Sequence, residues 1–410
     1  MEYSLNIREV TYALSGALDF VGIDDTLHGK RVAYMAAELA KELSWDKALI
    51  DDIIFTGMLH DCGVSSTDVH THLVTELDWN NSQVHSIRGE ILLKMTKAYK
   101  KFATYVRYHH THWHDLPEAL SDHEKEISNL IYLVDRVDAL NAQMKSSGVK
   151  SMHLMQETIN KYADTMFSQR LVEGFLNVSS RDSFWFYLEN EALEEYFMEW
   201  VEKGFDEEFS FEEVKEIALM FAAVVDAKST FTSEHSIGVS NLSRYLADLF
   251  ELPQESREKI ELAGLLHDLG KLRVDDAILD KPSKLDTDER LIMNRHGFDS
   301  FIILRHIKGF KEIAHLASLH HETLDAKGYP YNLSPSAIPI EARIITVADI
   351  FQALIQDRPY RQGLDMNEAY EILYQMCEDG KLDFTIVKKL KENLETCYEK
   401  AGIKYEIAQS

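Results

Sequence analysis

Five histidines and two aspartates in the second half of the chain are the residues best able to do chemistry together. His235 stands in TSEHSIGV, His267 and Asp268 in LLHDLGK, His296 in NRHGFDS, His320 and His321 in SLHHETLDAKGYP, and Asp349 in VADIFQALIQDRPYR. Imidazole and carboxylate donors in combination suit first-row transition metals such as Mn, Fe, Co and Zn. These seven donors are too many for one tetrahedral zinc and enough for two neighbouring ions. Each alone has a blander reading: a single helical histidine is usually at the surface or satisfied in the core, and HH pairs arise by chance. The phrases around them carry the case.

On those phrases the stretch Val225 to Tyr398 resembles the HD-GYP family, bacterial phosphodiesterases of cyclic dinucleotides. It contains the HD pair His267-Asp268 and the triplet Gly328-Tyr329-Pro330, within the longer phrases HHE…D.KGYP and AD.F.AL…RPYR. An HD pair alone would imply only the broad superfamily of metal-dependent phosphohydrolases. The resemblance implies that His235, His267, Asp268, His296, His320, His321 and Asp349 ligate two divalent transition-metal ions. Iron or manganese is expected first, with nickel, cobalt or zinc as alternatives. It implies Asp268 and Lys271 as catalytic residues, Asp268 bridging the metals and Lys271 offsetting charge on a phosphate oxygen. Substrate contacts are expected from Lys271, Gly328, Tyr329, Pro330, Arg358 and Arg361. The GYP loop would shape the substrate mouth or meet a partner protein, and the arginines could fork onto phosphate or guanine edges. Arg358 reads equally as a structural ion-pair residue, and Lys281 and Lys284 are weaker candidates. Two departures stand out. Gln352 replaces the Asp of the frequent FDAL phrase. Phe231 occupies the position, one turn before the first His, where three-metal members carry Glu, although Glu234 is near; two metals are therefore expected.

Donors so far apart in sequence can meet only if several helices present them, and the chain reads as helical almost throughout. Val32–Leu43, Val239–Phe250 and Ile386–Tyr398 are amphipathic at period 3.6. Short extended pieces are expected only near Ile338–Ile340. Adjacent helical residues point about 100° apart, so His267 and Asp268 can serve different positions of one cluster, as can His320 and His321. Building a dimetal site from inward-facing side chains of several helices is a known use of bundles.

The landmarks occur twice. His28, His60-Asp61, His85, His109-His110 and Asp135 precede His235, His267-Asp268, His296, His320-His321 and Asp349, with GMLHDCG answering GLLHDLG. The expected architecture is all-α, two tandem HD-type helical domains at 1–205 and 206–410. Ser210 and Glu213 form a capping box for the helix that opens the second. Met144–Lys203 lacks a counterpart and should close the first domain, its aromatic run Phe184–Trp200 packing against the neighbouring one. The first half keeps every ligand landmark but has Val64 in place of Lys271 and neither GYP nor RPYR. It reads as a degenerate regulatory or scaffolding copy able to bind metal, with His70, His72, His112 and His114 as extra donors; a second, different phosphohydrolase is the competing reading.

The net charge of −26 argues against a DNA or RNA polymer or an anionic membrane as partner. A small phosphate substrate remains compatible, because metals and a few cations reverse the field locally. Cys62, Cys377 and Cys397 form no CxxC pair, which argues against a cysteine zinc site and a disulfide framework. No signal peptide or membrane span is legible, so a cytoplasmic protein is expected. The resemblance implies a phosphodiesterase that opens a 3′–5′ bond of cyclic di-GMP or 3′,3′-cyclic GMP-AMP to give a linear dinucleotide. A cyclic-dinucleotide sensor without turnover and a nucleotide phosphohydrolase of the wider superfamily are its rivals. A homodimer and a signalling protein partner are left open.

Overall fold

The computed structural model of the protein describes residues 2–21, 27–79, 81–144, 149–228, 235–357 and 362–402. Phe231, Glu234, Arg358 and Arg361 lie outside the described residues. The fold is all-α, and the chain divides into two compact units. One is Leu5–Glu207; the other is Glu208–Ser410 together with Met1–Ser4. The expected division was 1–205 and 206–410. The first residues join the second unit because Glu2–Leu5 pairs with Glu207–Ser210 in a two-stranded sheet. The signal is brief: EYSL alternates, with Tyr3 and Leu5 buried and Glu2 and Ser4 exposed. Ser210 then caps Phe211–Lys228, its hydroxyl accepting from Glu213 N while Glu213 accepts from Ser210 N. The extended pieces expected at Ile338–Ile340 do not form a strand. Pro335–Ala337 is a 3-10 turn, and Pro339 starts the helix Ile340–Ile355; proline suits a helix start because its missing N–H would have no intrahelical partner there.

In the C-terminal unit His235–Leu249 lies along Gln254–Leu266 and also against Ile340–Ile355. The stripe Val239, Leu242 and Leu246 is fully buried, each large side chain contributing about 1.5–3 kcal/mol. Ser240 Oγ donates to Glu261 O at 2.8 Å across the first pair. This packing brings the start of one helix, the end of the second and the middle of the third to one place. The N-terminal unit repeats the plan with His28–Glu42, Lys47–Leu59 and Asp122–Gln143.

Val149–Lys161, Gln169–Val178, Asp182–Phe186 and Asn190–Glu202 complete the N-terminal unit. The aromatic run that was expected to face the neighbouring domain packs inside its own unit. Phe184 meets Tyr34 at 5.9 Å, Trp200 meets Phe55 at 5.1 Å, and Trp200 Nε1 donates to Asp51 at 2.6 Å. Among the described residues no helix is long and apolar enough to cross a membrane.

Candidate metal and phosphate site

Helix ends build the site in the C-terminal unit. His235 begins His235–Leu249, His296 begins His296–Leu304, His267 caps the C-terminus of Gln254–Leu266, and His320 and His321 follow Lys311–Ser318. Asp349 comes from within Ile340–Ile355. Three imidazoles are locked from behind by a carbonyl three residues upstream. His267 Nδ1 donates to Gly264 O at 2.8 Å, His296 Nδ1 to Met293 O at 2.6 Å and His320 Nδ1 to Ala317 O at 2.7 Å. A carbonyl only accepts, so each Nδ1 carries a proton and each Nε2 faces the cluster. His235 Nδ1 is fixed instead by Gln352 Oε1 at 2.5 Å.

The inward atoms converge. His235 Nε2 lies 3.3 Å from His267 Nε2 and 3.2 Å from Asp349 Oδ1, while His296 Nε2 lies 3.0 Å from His320 Nε2. Asp268 stands between the two groups. Its Oδ2 is 3.6 Å from His235 and 3.3 Å from His267; its Oδ1 is 3.5 Å from His296 and 3.9 Å from His320. His321 Nδ1 is 4.0 Å from Asp349 Oδ2. The structure thus brings together all seven candidate donors. Asp268 Oδ1 is buried and accepts no hydrogen bond, an expensive arrangement unless a cation satisfies it.

Protonation matches that use. Burial pushes His296 down to about 4 and His321 to about 3, and holds His320 well below its ordinary value. Burial would raise Asp268, but His267 and then Lys271 hold its carboxyl well below the usual range. His267 is the exception: burial lowers it, yet Asp268 and Asp349 carry it up to about 8.

Lys271 lies in the 3-10 turn Leu269–Arg273, with Nζ 2.5 Å from Asp268 Oδ2, so its ammonium faces the cluster. Gly270 allows this turn to press on the neighbouring helix, since an added Cβ would stand 2.0 Å from His296 O. Gly328 is equally constrained, a Cβ there falling 2.4 Å from Thr323 N. Tyr329 packs against His321, ring centroids 4.6 Å apart and tilted by 36°, and Pro330 follows through a cis peptide. Lys281 pairs with Glu289 at 2.5 Å, and Lys284 is exposed.

Two residues at this site carry no motif role in the sequence reading. Glu322, buried, accepts from Tyr331 N at 2.7 Å and Leu333 N at 2.9 Å, which anchors the GYP loop. The HHE phrase held that signal. Asp226, buried in Phe211–Lys228, accepts from Ser236 Oγ at 2.9 Å, and burial raises it to about 8. A lone Asp in an apolar helix gave no warning.

The first half assembles its own landmarks. Asp61, His85, His109 and His110 form one group, and His28, His60 and Asp61 another. Of the extra histidines, His72 pairs with Glu76 at 2.8 Å and His112 with Asp78 at 3.2 Å, both outside those groups. A separate cavity of about 960 Å³ lies among Tyr34, Tyr187, Tyr196 and Trp200, with no cluster residue in its wall.

An HD domain family matches residues 27–143, and a second HD domain family matches 219–386. The 3′3′-cGAMP-specific phosphodiesterase 1 of Vibrio cholerae is 34% identical over 97% of this chain and 94% of its own length. The chain belongs to the HD-GYP family. Another relative, the cyclic di-GMP phosphodiesterase response regulator RpfG of Xanthomonas campestris, is 36% identical over 40% of this chain and 44% of its own length. A solved V. cholerae structure, described as a cyclic GMP-AMP specific phosphodiesterase, shares the fold. Its TM-score is 0.65 at 23% identity, over 96% of this chain and 98% of that one.

Proposed function

We propose that the C-terminal unit is a metal-dependent phosphodiesterase that opens a 3′–5′ bond of a cyclic dinucleotide to give a linear dinucleotide. The observation that carries it is Asp268, whose two oxygens face two separate histidine groups while Lys271 sits at its edge. The substrate of first choice is 3′,3′-cyclic GMP-AMP, since the relative matched almost end to end bears that specificity; cyclic di-GMP is the second. The residues fit two divalent transition-metal ions, iron or manganese first. His235, His267, Asp268 and Asp349 would hold one, and Asp268, His296, His320 and His321 the other. The bacterial cytoplasm is the expected compartment.

A metal pair supplies Lewis-acid polarisation of the phosphate and an activated water. The chain does the rest. Nδ1–H donation to Gly264, Met293 and Ala317 holds the rings in the one tautomer that can ligate. Asp268 stays ionised although it is buried, and could bridge the two ions. Lys271 places a positive charge where the phosphate gains charge in the transition state, a preorganised effect worth about 10²–10³ in rate. Tyr329, packed against His321, offers the mouth an aromatic face on which a base can lie.

The test is incubation of the full chain, loaded anaerobically with Fe(II) or Mn(II), with a panel of cyclic dinucleotides and separation of the products. A linear dinucleotide, formed fastest from 3′,3′-cyclic GMP-AMP, is expected. Stoichiometric binding without product would favour the sensor reading, and cleavage of nucleoside triphosphates instead would favour the wider superfamily.

A further inference from the structure

We propose that the N-terminal unit holds a second two-metal centre of its own, structural in role and distinct from the one in the C-terminal unit. His28, His60, Asp61 and Asp135 would hold one divalent transition-metal ion, and Asp61, His85, His109 and His110 the other.

The donors of the N-terminal unit repeat the geometry of the C-terminal cluster. His28 Nε2 lies 3.3 Å from His60 Nε2, and His85 Nε2 lies 3.2 Å from His109 Nε2. The corresponding separations in the C-terminal unit are 3.3 and 3.0 Å. Asp61 divides its oxygens as Asp268 does. Oδ2 is 3.6 Å from His28 and 3.4 Å from His60; Oδ1 is 3.2 Å from His85 and 3.8 Å from His109. Asp135 Oδ1 is 3.4 Å from His28, and His110 Nε2 is 3.7 Å from Asp135 Oδ2. The outer nitrogens are tied in the same way, His60 Nδ1 to Gly57 O at 2.8 Å and His109 Nδ1 to Val106 O at 2.6 Å. Gly63 presses on His85 O as Gly270 does on His296 O, a Cβ on either standing 2.0 Å away. A copy freed from metal binding would have no reason to keep seven polar donors in this register, because buried polar groups without partners are destabilising. Asp61 Oδ1 is such an atom, buried with no hydrogen-bond partner.

The surroundings set the role. Val64 replaces Lys271, so no ammonium is offered at the bridging carboxylate. The cations come from elsewhere: Arg136 binds Asp135 Oδ2 at 2.7 Å, and Arg31 binds Asp138 at 2.7 and 2.9 Å. Asp138 in turn holds His28 Nδ1 at 2.8 Å, a carboxylate where the C-terminal unit has the Gln352 amide. A carboxylate behind a ligating imidazole strengthens it as a donor. The cavity beside His28, His60, Asp61 and His70 measures about 20 Å³, room for about one water. Metal binding to such a preformed, enclosed set contributes directly to folding stability.

The inference does not depend on the proposed substrate, and its test reads metal. The full chain is reconstituted anaerobically with Mn(II), desalted and analysed for metal and melting temperature. Three proteins are compared: the natural one, His85→Gln/His109→Gln, and His296→Gln/His320→Gln. The natural protein should carry about four ions, and each variant should lose about two. The C-terminal variant should still melt higher with metal than after chelation. If the N-terminal variant does not fold, the C-terminal variant decides alone: about two retained ions support the centre, and none overturns it. A natural protein with about two ions, all lost in the C-terminal variant, also overturns it.

Discussion

Lys271 and Gln352 separate the two tasks of the site, rate and metal retention. Lys271→Ala removes a charge without removing a donor, so metal content should hold while kcat falls about 10²–10³-fold. Metal analysis beside single-turnover kinetics checks this, and an unchanged kcat would reduce Lys271 to a partner of Asp268. Gln352→Leu does the reverse. It releases His235 Nδ1 and should weaken metal retention about 10–100-fold, measured by competition with a chelator. His267 gives the pH dependence. Burial lowers its pKa, but Asp268 and Asp349 carry it up to about 8, so near pH 7 the metal-free ring is protonated. It must lose that proton to ligate. Metal binding should therefore release protons around pH 7, and apparent affinity should rise until about pH 8; calorimetry in buffers of different ionisation enthalpy reads the release. The identities of the donors were legible in the phrases around them. What fixed each ring was not, because a backbone carbonyl three residues upstream leaves no mark on the sequence.

At the scale of elements, the GYP loop is held from below. Glu322 accepts two backbone N–H groups from the loop, at Tyr331 and Leu333. Glu322→Ala leaves both without that acceptor and should reduce stability by about 1–3 kcal/mol. Because the loop carries Tyr329 rather than a metal donor, KM should rise more than kcat falls. Denaturant melts and steady-state kinetics test the pair of effects, and a loss confined to kcat would contradict the assignment. The helices were readable because their apolar stripes and caps are local, as with Ser210 and Glu213. The two-stranded sheet escaped notice because its four-residue strands pair across some 200 positions of sequence. The aromatic run Phe184–Trp200 could be read as a packing surface but not as packing within its own unit, since composition says nothing about which helix is opposite.

At the scale of the whole molecule, an internal repeat gave the architecture, since two sets of landmarks at nearly equal spacing require two similar helical units. The repeat also framed a division of labour, in which both units keep the donors and only one keeps Lys271 and the Gly328-Tyr329-Pro330 loop. The measurement that bears most directly on this is a comparison of two double variants in one cyclic dinucleotide assay, each shown to be folded by circular dichroism. His267→Ala/Asp268→Ala should abolish formation of the linear dinucleotide. His60→Ala/Asp61→Ala should retain it, with at most a moderate change in rate and a lower melting temperature. Turnover surviving in the folded first variant and lost in the folded second would place the active site in the N-terminal unit and contradict the account.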